Sequence, residues 1–174
     1  NHFLSFFIDQ NDLKIFEYNR VIKNISPSIE SEFLNKLKNN FKVESLIKHQ
    51  APKSREELSI YFNKKWYLIK VKSEKIFGDF KSHLNSQIVS DLILKDIFRI
   101  NAKNSYENVE YIKGNQPLSF LVSRVNQLGD SIGIQLYPHV IEEITFMADR
   151  GENMPAKSTW IEPKLRSGLT IYEY

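Results

Sequence analysis

The stretch ELSIYFNKKWYLIKVK, residues 57–72, sets the first limit on the fold. Two runs rich in aromatic and β-branched residues, ELSIYF and KWYLIKVK, bracket the polar NKK, which is the pattern of a β-hairpin. Leu58, Ile60 and Phe62 alternate with polar or amphipathic positions, so one face of this hairpin is expected to be buried. Upstream, HFLSFFI and LKIFEY flank DQND and predict an earlier hairpin. Between the two lies SPSIESEFLNKLKNNF, where Ser26 and Pro27 supply a helix start and Ile29, Phe33, Leu34, Leu37 and Phe41 form one stripe. Glu30 and Glu32 early in that helix, with Lys36 and Lys38 late, suit its dipole.

After about residue 80 the rhythm changes. NSQIVSDLILKDIF predicts a helix with Ile88, Val89, Leu92, Ile93 and Ile97 on a wide apolar face. VEYI reads as a strand, and QPLSFLVSRVNQLG as a helix opening at Pro117 and stopping at Gly129. SIGIQLY is a further strand, and PHVIEEITFMADRG a helix opening at Pro138 and closing at Gly151. A strand–helix–strand–helix run predicts a parallel pair. KSTWIE and LTIYEY then form a closing hairpin around PKLRSG. The expected class is α+β, with a mixed sheet built from antiparallel hairpins plus this C-terminal run. Residues 1–174 are expected to form a single domain, with a soft lobe boundary near 73–83.

A chain of 174 residues can bury one core, and its 41% hydrophobic and 26% charged residues are ordinary for a soluble globular protein. No run approaches the roughly 18 apolar residues of a membrane helix. NHFLSFFI is followed at once by DQND, unlike a signal peptide. The formal net charge of +3 permits phosphate or nucleic-acid partners without requiring them. The absence of Cys excludes disulfides, thiol catalysis and thiolate metal sites, and fits a cytoplasmic location. Starting at Asn1 in a strand-like run, the chain reads as a fragment or a processed product.

The sharpest chemistry lies at the end. Lys157, Ser158, Thr159, Lys164, Arg166 and Ser167 crowd into one short hairpin, and together supply charge-assisted donors suited to phosphate or carboxylate. Alternation sends Lys157, Thr159 and Ile161 one way and Ser158, Trp160 and Glu162 the other, leaving Lys164, Arg166 and Ser167 at the tip. The bland alternative is a stiff edge hairpin whose charges prevent strand addition. Arg20 follows the first hairpin where strand is expected to meet loop, a position that often serves ligands. His2, His49, His83 and His139 lack metal spacing and read as surface or packing residues. Glu142 and Glu143 are helix neighbours that diverge around the axis. KWYLIKVK, with its basic and aromatic residues, reads as a half-buried strand before it reads as a nucleic-acid surface. No sequence feature names a cofactor.

The segment ADRGENMPAKSTWIEPKLRSGLTIYEY resembles the C-terminal signature of domain-of-unknown-function family 1015. Met154, Pro155, Lys157, Ser158, Thr159, Pro163, Lys164, Ser167 and Gly168 match its Met-Pro-x-Lys-Ser-Thr, Pro-Lys, Ser-Gly pattern. The resemblance continues through SQIVSDLILKDIF and VEYIKG back to LKIFEYNR. Family members are longer, and their upstream half carries an Asp-Gly-His-His-Arg segment similar to that of ParB-like nucleotide-dependent proteins. The resemblance therefore implies that the chain lacks its best catalytic candidates and is the accessory, ligand-binding lobe of a ParB-like phosphotransferase, with free serine a possible substrate. Its implied partners are an absent N-terminal half and a phosphorylated or carboxylate small molecule. Two other readings stay open. One is a nucleic-acid or nucleotide-binding module, and the other a structural or dimerisation domain built on the apolar helix from Ile88 to Phe98.

Overall fold

A computed structural model of the chain describes residues 5, 7–101, 104–164 and 168. Its first strand, β1 (Lys14–Ile22), is followed by α1 (Pro27–Asn40), β2 (Phe41–Leu46), β3 (Glu57–Phe62) and β4 (Lys65–Val71). Then come α2 (Asn85–Ile88), which continues as a π-helical stretch (Val89–Lys95), and α3 (Ser105–Asn108). β5 (Val109–Lys113), α4 (Leu118–Leu128), β6 (Ile132–Gln135), α5 (Ile141–Asp149) and β7 (Thr159–Glu162) are the last described elements. The class is α+β, with the strands in one seven-stranded sheet of order β2-β4-β3-β6-β1-β5 and β7 joined to β1.

The central hairpin forms as its sequence dictates. Asn63 and Lys64 adopt φ of 48° and 60°, the two positive values that a two-residue hairpin turn needs to match strand twist. Both faces of β3 are buried, not one: Leu58, Ile60 and Phe62 are joined by Ser59 at 0% and Tyr61 at 7% exposure. The reason is a helix on each side. Phe33 and Leu37 of α1 pack with Ile60 and Ile69, while Leu121 and Val125 of α4 pack with Tyr61 and Ile112. Alternation alone cannot reveal the second layer.

α1 starts where Ser26 Oγ accepts the Ile29 amide at 3.4 Å, and Lys36 pairs with Glu32 at 3.0 Å along its surface. It ends one residue before expected. Phe41 has φ −129° and ψ 151° and opens β2, so this buried ring serves the core from a strand. The apolar helix after residue 85 buries Ile88, Val89, Ile93, Leu94 and Ile97 within the main core, and Arg99 at φ 59° ends it.

Two expectations change. The described residues preceding β1 form no strand; Asp9 instead caps a short 3-10 turn at Gln10–Asp12, and the rest of the first predicted strand lies outside the described residues. β5 and β6 run in the same direction, yet they do not pair. β1 lies between them and pairs antiparallel with both, so every described pairing in the sheet is antiparallel. The partner expected for β7 in LTIYEY also lies outside the described residues, and β7 pairs with residues Lys14 to Glu17 of β1.

Candidate functional site

Strand alternation turns Lys14, Phe16, Tyr18 and Arg20 of β1 to one face of the sheet. The register sets Glu162 and Trp160 of β7 beside Lys14 and Phe16, and Lys113 and Tyr111 of β5 beside Tyr18 and Arg20. Edge-on aromatic contacts then run along the face. Tyr111 and Tyr18 have centroids 6.3 Å apart, and Tyr18 and Trp160 are 6.1 Å apart. Onto these rings come three exposed lysines. Lys113 Nζ is 3.9 Å and Lys164 Nζ 3.7 Å from the Trp160 centroid, and Lys157 Nζ is 5.6 Å from that of Tyr18. Lys113 and Lys164 thus share one indole ring as their cation–π partner. The ring is held in plane by Trp160 Nε1 donating to Glu162 Oε1 at 2.8 Å, an oxygen that also accepts from Asn115 Nδ2 at 2.6 Å.

Among the described residues, none of these three lysines has an ion-pair partner. Each lysine's described close contact is instead with a ring quadrupole, an interaction worth roughly 0.5–1 kcal/mol at an exposed site. A visiting anion would relieve the repulsion between them and gain several charge-assisted donors. Beside the indole opens a groove of about 390 Å³ lined by Asp12, Lys14, Trp160, Glu162, Pro163 and Lys164.

The sequence-predicted ligands separate into groups. Lys157 and Lys164 come together on the Tyr18–Trp160 pair. Lys157 reaches this side because φ of 52° at its own backbone breaks the alternation expected through KSTWIE. Thr159 lies opposite Glu17 and therefore faces away from Trp160, and Ser158 is 3% exposed. Arg166 and Ser167 lie outside the described residues. Arg20 is not at a strand–loop junction but inside β1, at 1% exposure. Lys113 was missed. Its only signal is the strand register, which no local pattern contains.

Arg20 closes the inner end of the aromatic row, with its guanidinium carbon 5.6 Å from the Tyr111 centroid. Nη2 donates to the Ser86 carbonyl at 3.1 Å and Nη1 to Ser90 Oγ at 3.3 Å, while Nε has no partner among the described residues. Burial pulls this guanidinium down to about 10, with Tyr111 acting in the opposite direction, so it is still charged at neutral pH. On the other side of Ser86 a polar relay begins. Ser86 Oγ and His139 Nε2 are 3.1 Å apart, His139 Nδ1 and Glu143 Oε2 2.6 Å, and Arg55 Nη1 lies 3.5 Å from the second Glu143 oxygen.

The bonding order is that of a nucleophile, base and orienting carboxylate. Ser86 is 0% exposed, however, so its hydroxyl is sealed from any substrate. Burial acts to raise the Glu143 carboxyl, but the hydrogen bond and charge of His139, the Val140 amide and the Arg55 charge outweigh it and hold the group below its ordinary range. Local sequence explains the geometry. Val140 is the N-cap of α5, and Glu143 three residues later folds back to its amide, half of a capping box. His139 lies four residues before Glu143, a spacing within one turn that could have disclosed the pair. Glu142 and Glu143 do diverge: Glu143 points inward and Glu142 is exposed.

Comparison with known proteins adds a family and a set of distant folds. The family described as "Protein of unknown function (DUF1015)" matches residues 1–95. No curated protein matches the chain. A free serine kinase solved in complex with AMP is 17% identical, with a TM-score of 0.49 and coverage of 87% of this chain and 55% of that one. A conserved hypothetical protein from Pyrococcus furiosus is 15% identical, with a TM-score of 0.47 and coverage of 88% and 57%. SbnI with a C-terminal truncation, from Staphylococcus aureus, is 14% identical, with a TM-score of 0.48 and coverage of 92% and 54%. The chain spans little more than half the length of each. No helix among the described residues is long and apolar enough to cross a membrane.

Proposed function

The chain belongs to the DUF1015 family, and we propose that it is the accessory, ligand-binding lobe of a ParB-like small-molecule phosphotransferase, not a catalyst by itself. The observation that carries this reading is the set of three lysines, Lys113, Lys157 and Lys164, gathered on two touching rings with no described ion-pair partner. Phosphoryl transfer depends mostly on positioning and charge stabilisation, and a cationic face on a second lobe supplies both. The ligand is a phosphorylated or carboxylate small molecule. Free serine and its phosphate ester are the first substrate and product to test.

In this reading the lysines leave their rings for the anion at small cost, since each cation–π contact is weak. Trp160, fixed by Glu162, holds in place the ring that Lys113 and Lys164 share. The dimerisation reading loses its motivating face, because the apolar helix from Ile88 packs that face into the core.

The test is thermal unfolding with phosphate, phosphoserine, serine and nucleotides, repeated for Lys113→Ala combined with Lys164→Ala. A ligand at a hundredfold its Kd stabilises by about 2.7 kcal/mol, an easily read shift. We expect an anion-dependent shift in the parent chain that the double substitution removes. No shift with any anion, or an unchanged shift in the double variant, would reject the reading. Strong salt-dependent binding of single-stranded oligonucleotides in place of small anions would assign the face to nucleic acid.

A further inference from the structure

At the opposite end of the polar relay, a groove of about 530 Å³ is lined by Lys53, Ser54, Arg55, Phe80, Tyr137, Val140, Glu142, Glu143 and Phe146. This volume is in the range of small-molecule sites. Its floor is aromatic. Phe80 and Phe146 have centroids 4.4 Å apart and planes inclined at 49°, and Phe146 and Val140 remain 42% and 44% exposed. Arg55 lies 5.8 Å from the Phe80 centroid while its Nη1 holds Glu143, which leaves most of its fork of donors unused. Ser54 Oγ, also on the wall, is buried with no hydrogen-bond partner.

Charge on the rim has both signs. Lys53 and Glu142 are exposed, and neither has an ion-pair partner among the described residues. A ligand bearing only negative charge would meet Glu142, and one bearing only positive charge would meet Lys53 and Arg55. A molecule with both charges and an apolar body meets no such conflict. We propose that this groove binds a zwitterion with a large apolar side chain, the simplest being a free aromatic α-amino acid. Its ring lies on Phe80 and Phe146, its carboxylate reaches Arg55 and Lys53, and its ammonium reaches Glu142.

Binding is then coupled to the relay, because Arg55 is shared between the ligand carboxylate and Glu143. The site is distinct from the Trp160 face, so Lys164→Ala should leave it unchanged.

The experiment is isothermal titration of the chain with phenylalanine, 3-phenylpropionate (the anion alone) and 2-phenylethylamine (the cation alone). Phenylalanine is expected to bind with a Kd of about 1 mM or tighter. Each analogue should bind at least about tenfold more weakly, the loss expected for one missing charge-assisted contact. Phe146→Ala, an exposed position, should weaken phenylalanine binding about tenfold, and Arg55→Gln should weaken it by a similar factor. Circular dichroism of both variants confirms that they fold. Absence of phenylalanine binding, equal binding of either analogue, or unaltered binding in folded Phe146→Ala overturns the proposal.

Discussion

Glu143→Gln isolates the charge in the relay while keeping the shape of the side chain. In the parent, Glu143 accepts from His139 Nδ1 at 2.6 Å, and both residues are buried, at 9% and 3% exposure. A hydrogen bond to a charged group in such a setting is worth about 1.5–3 kcal/mol. The Arg55 contact at 3.5 Å adds less than about 1 kcal/mol, because the Arg55 side chain is 45% exposed and screened by water. Glutamine retains an acceptor for His139, so only the charge-dependent part is lost. The expected destabilisation at neutral pH is about 2 kcal/mol, measured by urea unfolding at constant m.

The sign with pH follows from the lowered carboxyl. The folded value lies below the ordinary 4.5, so the unfolded chain takes up the proton first as pH falls. The stabilisation is therefore complete above about 4.5 and lost as pH drops through the lower folded value. The gap between parent and variant should narrow as pH falls below about 4.5. A gap below about 0.5 kcal/mol at neutral pH, or one that does not narrow below about pH 4, would refute the role given to the carboxylate charge.

Trp160→Ala should cost about 2 kcal/mol in urea unfolding, less than the roughly 3–5 kcal/mol of a fully buried aromatic, because Trp160 is half-buried. Arg20→Met should change stability by less than about 1 kcal/mol despite complete burial, since Arg20 has no carboxylate among the described residues to leave uncompensated; a loss above about 3 kcal/mol would show that its bonds to Ser86 and Ser90 hold the helix. Gly133→Ala should cost about 1–3 kcal/mol, because an added Cβ would lie 3.0 Å from Val125 Cγ2 and 3.2 Å from Leu121 Cγ, pressing α4 off the sheet. Ser26→Ala should cost about 1 kcal/mol through loss of the α1 cap, read as a lower thermal midpoint.

The elements most legible in the sequence are those with local causes. The Asn63–Lys64 turn, the Ser26–Pro27 start and the Gly129 stop at φ 78° each follow from residues within a few positions. β2 was hidden because Phe41 continues the helical stripe of α1, and the change to strand leaves no break in apolar spacing. The parallel pair failed for a different reason. A strand–helix–strand pattern fixes the direction of β5 relative to β6 but not what is inserted between them, and β1 arrives from almost a hundred residues earlier. At the candidate site, composition singled out Lys157 and Lys164, which lie on adjacent rings, because both come from one short segment. Lys113 and the Tyr18–Trp160 contact depend on register between β5, β1 and β7, which is a tertiary property.

The position of β1 also has a consequence for biosynthesis. All three of its described partners come from later in the chain: β5 begins at Val109, β6 at Ile132 and β7 at Thr159. On the ribosome, β1 emerges before each of its described partners and waits while about a hundred further residues are made, several seconds at roughly 5–20 residues per second. The β2–β4–β3 meander can close locally during that interval, but β1, with its run of Tyr18 to Ile22, cannot. Its exposed edge is then open to other nascent chains, so recombinant yield should depend on slow translation and chaperone supply more than on the final stability of the fold.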